Sequence, residues 1–435
     1  MKILGFIILL FTITTYSKSN IEMNIENFKL DNGLNVYLSK NSESPTVAIT
    51  LYYKVGSINE LKNKTGFAHL FEHMMFQGTR NVEKTEHFAL LQKVGGKANA
   101  FTTKEYTAYY DIVTANQLEL ALWLEADRME NLSVNYPNFK NQLEVVKEEM
   151  RMRYLNSPYG NLVKTLDRNA HKLWNYQHSV IGSMKDLDSS GVEYAKSFFK
   201  KYYNPNNAVL TIVGDINKDD AKKLVKKYFA NIKNQSTNYS LKNKKGKKGK
   251  KLTTIEDKLA KFPAIGIAYQ APSKTNLKEY FAMKMLETIL FNNDSSRLYR
   301  LLIKDKELAV SIYGGINNLK SDNLFYIFSM VKKGNVKKVR NLIFKEIKNI
   351  KKKGITEVEL KKAKLSFKTE FIFHLESNIS KALMIGEFSA LYGSPDEIKN
   401  LLSIIDSITV KDVKTIANKY MKKEFLTEVD VKLAK

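Results

Sequence analysis

Residues 65–79 read "TGFAHLFEHMMFQGT" and hold two of the six histidines in the chain, four positions apart, with Glu72 directly before the second. The spacing of Phe67, Leu70, Phe71 and Met74 predicts a helix with one apolar side. At about 100° per residue, His69 and His73 lie about 40° apart on the opposite side, and Glu72 falls within the same arc. Two neutral imidazoles so placed can share one zinc ion, and a carboxylate beside them can take a proton from water. The plain alternative is a helix whose histidines are structural. In a chain this poor in histidine, the H-x-x-E-H spacing favours the metal.

A catalytic zinc also needs a third protein ligand and an open position. The chain contains no cysteine, which leaves His, Glu or Asp and excludes disulfides and thiol nucleophiles. Residues 141–160, "NQLEVVKEEMRMRYLNSPYG", offer Glu144, Glu148 and Glu149 on one predicted helix. Chemistry alone leaves these three open. His87, His171, His178 and His374 have no comparable setting and are given no role.

Around this helix the pattern is mixed. "FKLDNGLNVYLSKN" and "TVAITLYYKVGS" alternate apolar and polar residues and predict two strands forming a hairpin, with Asn32-Gly33 as a turn. "GGKANAFTTKEYTAYYDIV" predicts two more strands, residues ~116–131 and ~137–156 predict helices, and "NAVLTIVGDI" predicts another strand. Residues 234–251, "NQSTNYSLKNKKGKKGKK", cannot bury a core and read as a linker. Beyond it, "FPAIGIAYQAP" predicts a strand and "EYFAMKMLETILFNN" a helix. Laid on the first helix without gaps, Leu286 to Phe291 falls on Phe71 to Phe76, and Lys284 and Thr288 stand at the places of His69 and His73. "VKTIANKYMKKEFLTEVDV" likewise echoes "AKSFFKKYYNPNNAVLTIVGD". A tandem repeat is expected, with histidines only in its first copy.

The 435 residues suit two domains. Lys2 followed by the apolar run Ile3 to Ile13, with Thr15 and Ser17 beyond, has the layout of a secretory signal peptide over residues 1–17. The expected organisation is that leader, a metal-binding domain over 18–233, the linker over 234–251 and a metal-free counterpart over 252–435. Export without disulfides suits a bacterial periplasm. The net charge of +25 lies on helix faces and in the linker, with no nucleic-acid-binding signature, so nucleic acid is not expected as a partner.

The inverted order H-x-x-E-H marks the inverzincins. "GFAHLFEHMMFQGT", "GGKANAFTTKEYTAYY", "EVVKEEMRMR", "YYNPNNAVLTIVGDI" and "SRLYRLLIKDKELAVSI" together resemble the pitrilysin/insulinase family of zinc peptidases, including bacterial processing-peptidase-like members. The resemblance implies an α+β fold of two similar domains, each a mostly antiparallel sheet with helices packed against it. It implies a peptide-hydrolysing enzyme with one zinc ion per chain, bound by His69, His73 and a glutamate about 76 positions after the second histidine, which is Glu149. Glu72 would be the general base, and Asn99 and Ala100 would hold substrate backbone at a sheet edge. Two departures stand out. Gln142 replaces a glutamate common in the family, and Ile303 and Val310 stand where equipped relatives carry Arg and Tyr. Those missing groups imply a homologous second subunit that supplies them in a heterodimer; a homodimer would be catalytically poorer. The competing expectation is a non-catalytic assembly subunit of the same fold.

Overall fold

The computed structural model describes residues 23–234 and 251–434. The leader expected at 1–17, and the expected linker apart from Asn234 and Lys251, lie outside the described residues; Lys251 opens a strand. Two sheets organise the chain. The first holds β1 (Ile25–Lys29), β2 (Asn35–Lys40), β3 (Thr46–Tyr53), β4 (Lys97–Thr102), β5 (Thr107–Thr114) and β6 (Ala208–Gly214), in the order β1-β2-β6-β3-β5-β4. The second holds β7 (Lys251–Asp257), β8 (Ala264–Gln270), β9 (Ala309–Ile316), β10 (Leu324–Val331) and β11 (Thr427–Leu433), in the order β7-β11-β8-β10-β9.

Apart from β1, the sheets have one topology. The pair β2·β6 is parallel, as is β7·β11, and the three remaining pairings of each run are antiparallel. The resulting α+β architecture is the expected one, and β4 and β9 are equivalent edges. One local expectation fails. Asn32-Gly33 closes a hairpin between β1 and β2, whereas β2 and β3 do not pair, because β6 lies between them. Alternation marks a strand but not its neighbour, and a strand arriving almost 170 positions later takes the place.

Each sheet is sealed by a helix from the other half. Gly160–Ala170 packs Leu162, Leu166 and Ala170 on Ala264, Ala268, Val429 and Val431 of the second sheet. The helix Asn378–Tyr392 covers β3 and β6 of the first sheet, and Tyr52 Oη donates to the Leu383 carbonyl at 2.9 Å. Both contacts are tight. A Cβ at Gly386 would lie 2.4 Å from the Tyr52 ring, and one at Gly266 would lie 2.7 Å from Leu162 and Leu166. With both faces covered, β3, β6 and β8 are buried almost throughout, their few polar side chains such as Thr50 and Thr211 included.

Candidate active site

The quoted stretch forms α1 (Phe67–Met74), with Phe67, Leu70, Phe71 and Met74 buried in the first core. Its N-terminus begins at Gly66 in a left-handed conformation (φ 97°), with no side-chain cap of its own. Glu60 supplies the cap from outside: its carboxylate accepts from the Gly66 N–H at 3.0 Å and the Ala68 N–H at 2.8 Å. The His178 ring nitrogen Nε2 sits 3.0 Å from the same carboxylate. Burial pushes the Glu60 carboxyl up, against the pull of His178 and the two N–H groups. Neither Glu60 nor His178 was legible as a site residue, because 118 positions separate them.

A second helix, Tyr136–Met150, delivers the carboxylate. Glu144 pairs with Lys147 and Glu148 with Arg151, both largely in solvent, while Glu149 turns inward. Its Oε2 lies 3.3 Å from His73 Nε2 and 3.7 Å from His69 Nε2. Ligand bonds of about 2.0–2.1 Å in a tetrahedral zinc site place donor atoms about 3.3–3.4 Å apart, close to both of these separations, and all three donors lie within 4.8 Å of one another. His69 Nδ1 is buried without a hydrogen-bond partner among the described residues. The outer-shell hydrogen bond usual for a ligating imidazole is therefore not supplied to that ring. The outer oxygen of Glu149 takes an ion pair from Arg153 Nε at 3.0 Å.

Electrostatics keep these groups in usable states. Burial lowers the His69 imidazole to about 4, reinforced by His73, so the ring is neutral and its nitrogen is available at neutral pH. Burial would raise the Glu149 carboxyl, but the hydrogen bond from His73 and the charges of His69 and Arg153 leave it below its ordinary value. Glu72 is raised by burial, in spite of a 2.6 Å hydrogen bond from Thr102 Oγ1 to its Oε2.

Thr102 ends β4, and β4 is the open edge that carries Asn99 and Ala100. The Ala100 N–H donates to the Asn99 side-chain oxygen at 2.8 Å. Thus the strand and α1 meet at Glu72. Gln142 is buried one to two turns before Glu149 and donates to Asn141 at 2.9 Å. Ile303 lies in a π-helical turn, Arg300–Asp305, and Val310 on β9.

His87 has a fuller environment than its sequence context suggested. It is buried with Asp111 and Glu125, close enough for a metal-like donor set. Arg128, buried against Phe76 and Tyr109, pairs with Glu125 and so sets a fixed cation beside that group. His171 lies buried between Asp167 and Asp322, and His374 is exposed.

Comparison with known proteins gives the family of the chain. Residues 35–181 match the family profile described as insulinase (peptidase family M16), and residues 192–367 match that described as the peptidase M16 inactive domain. The chain belongs to the insulinase family. Among its relatives is the zinc protease PqqE of Helicobacter pylori, 29% identical, with 94% of this chain and 92% of the relative aligned. A solved protease from Helicobacter pylori superposes with a TM-score of 0.90 at 28% identity, covering 94% of this chain and 99% of the other. The periplasmic protease PqqL from Escherichia coli shares the fold at a TM-score of 0.77 and 19% identity, covering 94% of this chain and 47% of the other. Among the described residues, no helix is long and apolar enough to cross a membrane.

Proposed function

We propose that this chain is a zinc-dependent endopeptidase acting on peptides or unfolded protein segments. The observation that carries the reading is the convergence of His69 Nε2, His73 Nε2 and Glu149 Oε2 at separations suited to one tetrahedral ion. Zinc held there supplies Lewis acidity, which acidifies water and polarises a peptide carbonyl. Glu72 acts as general base: Thr102 fixes Oε2, and Oε1 takes the proton from water and returns it to the leaving amine. Its raised affinity for protons suits both transfers. Substrate backbone adds to the β4 edge at Asn99 and Ala100, displacing the bond between them. Residues 18–233 serve as the metal-binding domain and 252–435 as its metal-free counterpart. A homologous second subunit contributes the Arg and Tyr missing at Ile303 and Val310, and the apolar leader directs export to the periplasm. The name of the Helicobacter pylori relative, a zinc protease, supports the zinc and protease parts of this reading.

The test compares peptide hydrolysis by the purified chain and by Glu72→Gln, alone and with a co-expressed relative bearing the Arg/Tyr pair. The wild-type chain should cleave and Glu72→Gln should not, while both retain one zinc. Equal cleavage by both defeats the catalytic assignment. Zinc absent from both favours the assembly-subunit reading, which the presence of Ile303 and Val310 where equipped relatives carry Arg and Tyr also suits.

A further inference from the structure

Arg153 stands out among the groups around Glu149. It lies in the π-helical turn Arg151–Leu155 that continues the Glu149 helix, and its side chain is 69% exposed even while Nε holds the outer oxygen of Glu149. Glu149 is its sole ion-pair partner among the described residues, so the two terminal nitrogens of the guanidinium project into solvent beside the cluster. Those nitrogens form a planar fork matched to a carboxylate. The surface around it is built for contact. Val145, one turn before Glu149, and Met152 and Leu155 after it are large apolar side chains left exposed at 43%, 59% and 50%. Exposed apolar side chains close in the chain to an exposed cation that touches the Glu149 carboxylate offer groups for reading a peptide side chain.

Resting on the endopeptidase reading, we propose that Arg153 is a specificity residue that selects peptides carrying a carboxylate next to the scissile bond. The carboxylate can come from an aspartate or glutamate side chain, or from a free C-terminus where the internal bond that is cut lies near the end of the peptide. The net charge of +25 acts in the same direction over longer range by gathering acidic peptides.

The experiment measures dissociation constants of labelled peptides on the full, zinc-loaded Glu72→Gln chain, with and without Arg153→Gln or Arg153→Glu. Three peptides identical in length are used: glutamine-containing and amidated, glutamate-containing and amidated, and glutamine-containing with a free C-terminus. An exposed charge pair contributes up to about fivefold in binding. The expected result is a preference of about three- to fivefold for one or both acidic peptides, lost in Arg153→Gln and reversed in Arg153→Glu; the two acidic arms say which carboxylate is read. The proposal is overturned by a preference that survives Arg153→Gln, by no preference, or by no measurable binding. It is also overturned if all three peptides weaken equally together with zinc content, since Arg153 would then only position Glu149. Acid preference without hydrolysis by the wild-type chain would defeat the endopeptidase reading while leaving carboxylate recognition by Arg153 intact. Hydrolysis without acid preference would do the reverse.

Discussion

The two halves share one strand order and place a helix at the same point after their central strand, yet among the described residues only the first builds a metal-like cluster. In the first half, Glu72 accepts from Thr102, the last residue of its edge strand, and has two imidazoles beside it. In the second, Glu287 accepts from the N–H of Ile316, the last residue of the equivalent edge strand, at 2.9 Å. There Lys284 occupies the place of His69 and pairs with Glu287 at 3.0 Å. The glutamate and its tie to the edge strand thus belong to the scaffold. What differs is the partner one turn before it. A lysine neutralises the carboxylate internally, whereas an imidazole leaves it free to hold or release a proton.

The largest test of this contrast substitutes the two glutamates in parallel. Glu72→Gln should lower peptide hydrolysis by about a thousandfold, the scale of a lost general base, without loss of zinc. Glu287→Gln should leave turnover within about twofold and cost about 1 kcal/mol of stability, because it removes a partly exposed ion pair. Steady-state rates and denaturant midpoints of both variants check the pair. If Glu287→Gln abolished turnover, the halves would not divide labour as described.

A smaller difference is expected at the two helix starts. α1 depends on Glu60, a buried carboxylate from an earlier loop, whereas Leu277–Phe291 is capped by the adjacent Asn276 side chain. Glu60→Ala strands two buried N–H groups, while His178 keeps the Ser57 carbonyl at 2.9 Å, and should cost about 3 kcal/mol. Asn276→Ala should cost about 1 kcal/mol. Urea unfolding measures both, and equal losses would contradict the external-cap account.

The smallest expected effect is a pH dependence of opposite sign in the halves. Burial raises Asp111 to about 6 and Glu125 to about 7. Their contribution is full below their ordinary values near 4 and is lost as pH rises through 6 to 7. In the second half, Arg297 lowers Glu359 to about 2, so its contribution is full above about 4.5 and is lost as pH falls towards 2. Thermal midpoints against pH should show Asp111→Asn flattening the decline on the higher-pH side and Glu359→Gln flattening the acid side. Identical profiles in both variants would remove this distinction.

Much of the scaffold could be read locally. The face of α1 and the two strands β4 and β5 are short-range patterns, and the structure has them. The insertion of β6 between β2 and β3, the exchange of sealing helices and the Glu60–His178 cap were not legible, because they join residues far apart in the chain. An amphipathic helix such as Gly160–Ala170 announces an apolar face but not which sheet will receive it. Glu149 is an intermediate case. Its chemistry matched that of Glu144 and Glu148, only the family spacing distinguished it, and in the structure those two pair with Lys147 and Arg151.

Diffraction from crystals of the full chain grown with zinc, recorded on both sides of the zinc absorption edge, addresses the metal assignment directly. One anomalous peak is predicted among His69 Nε2, His73 Nε2 and Glu149 Oε2, with no peak beside Lys284 and Thr288. A peak elsewhere, or none with zinc in excess, would contradict it.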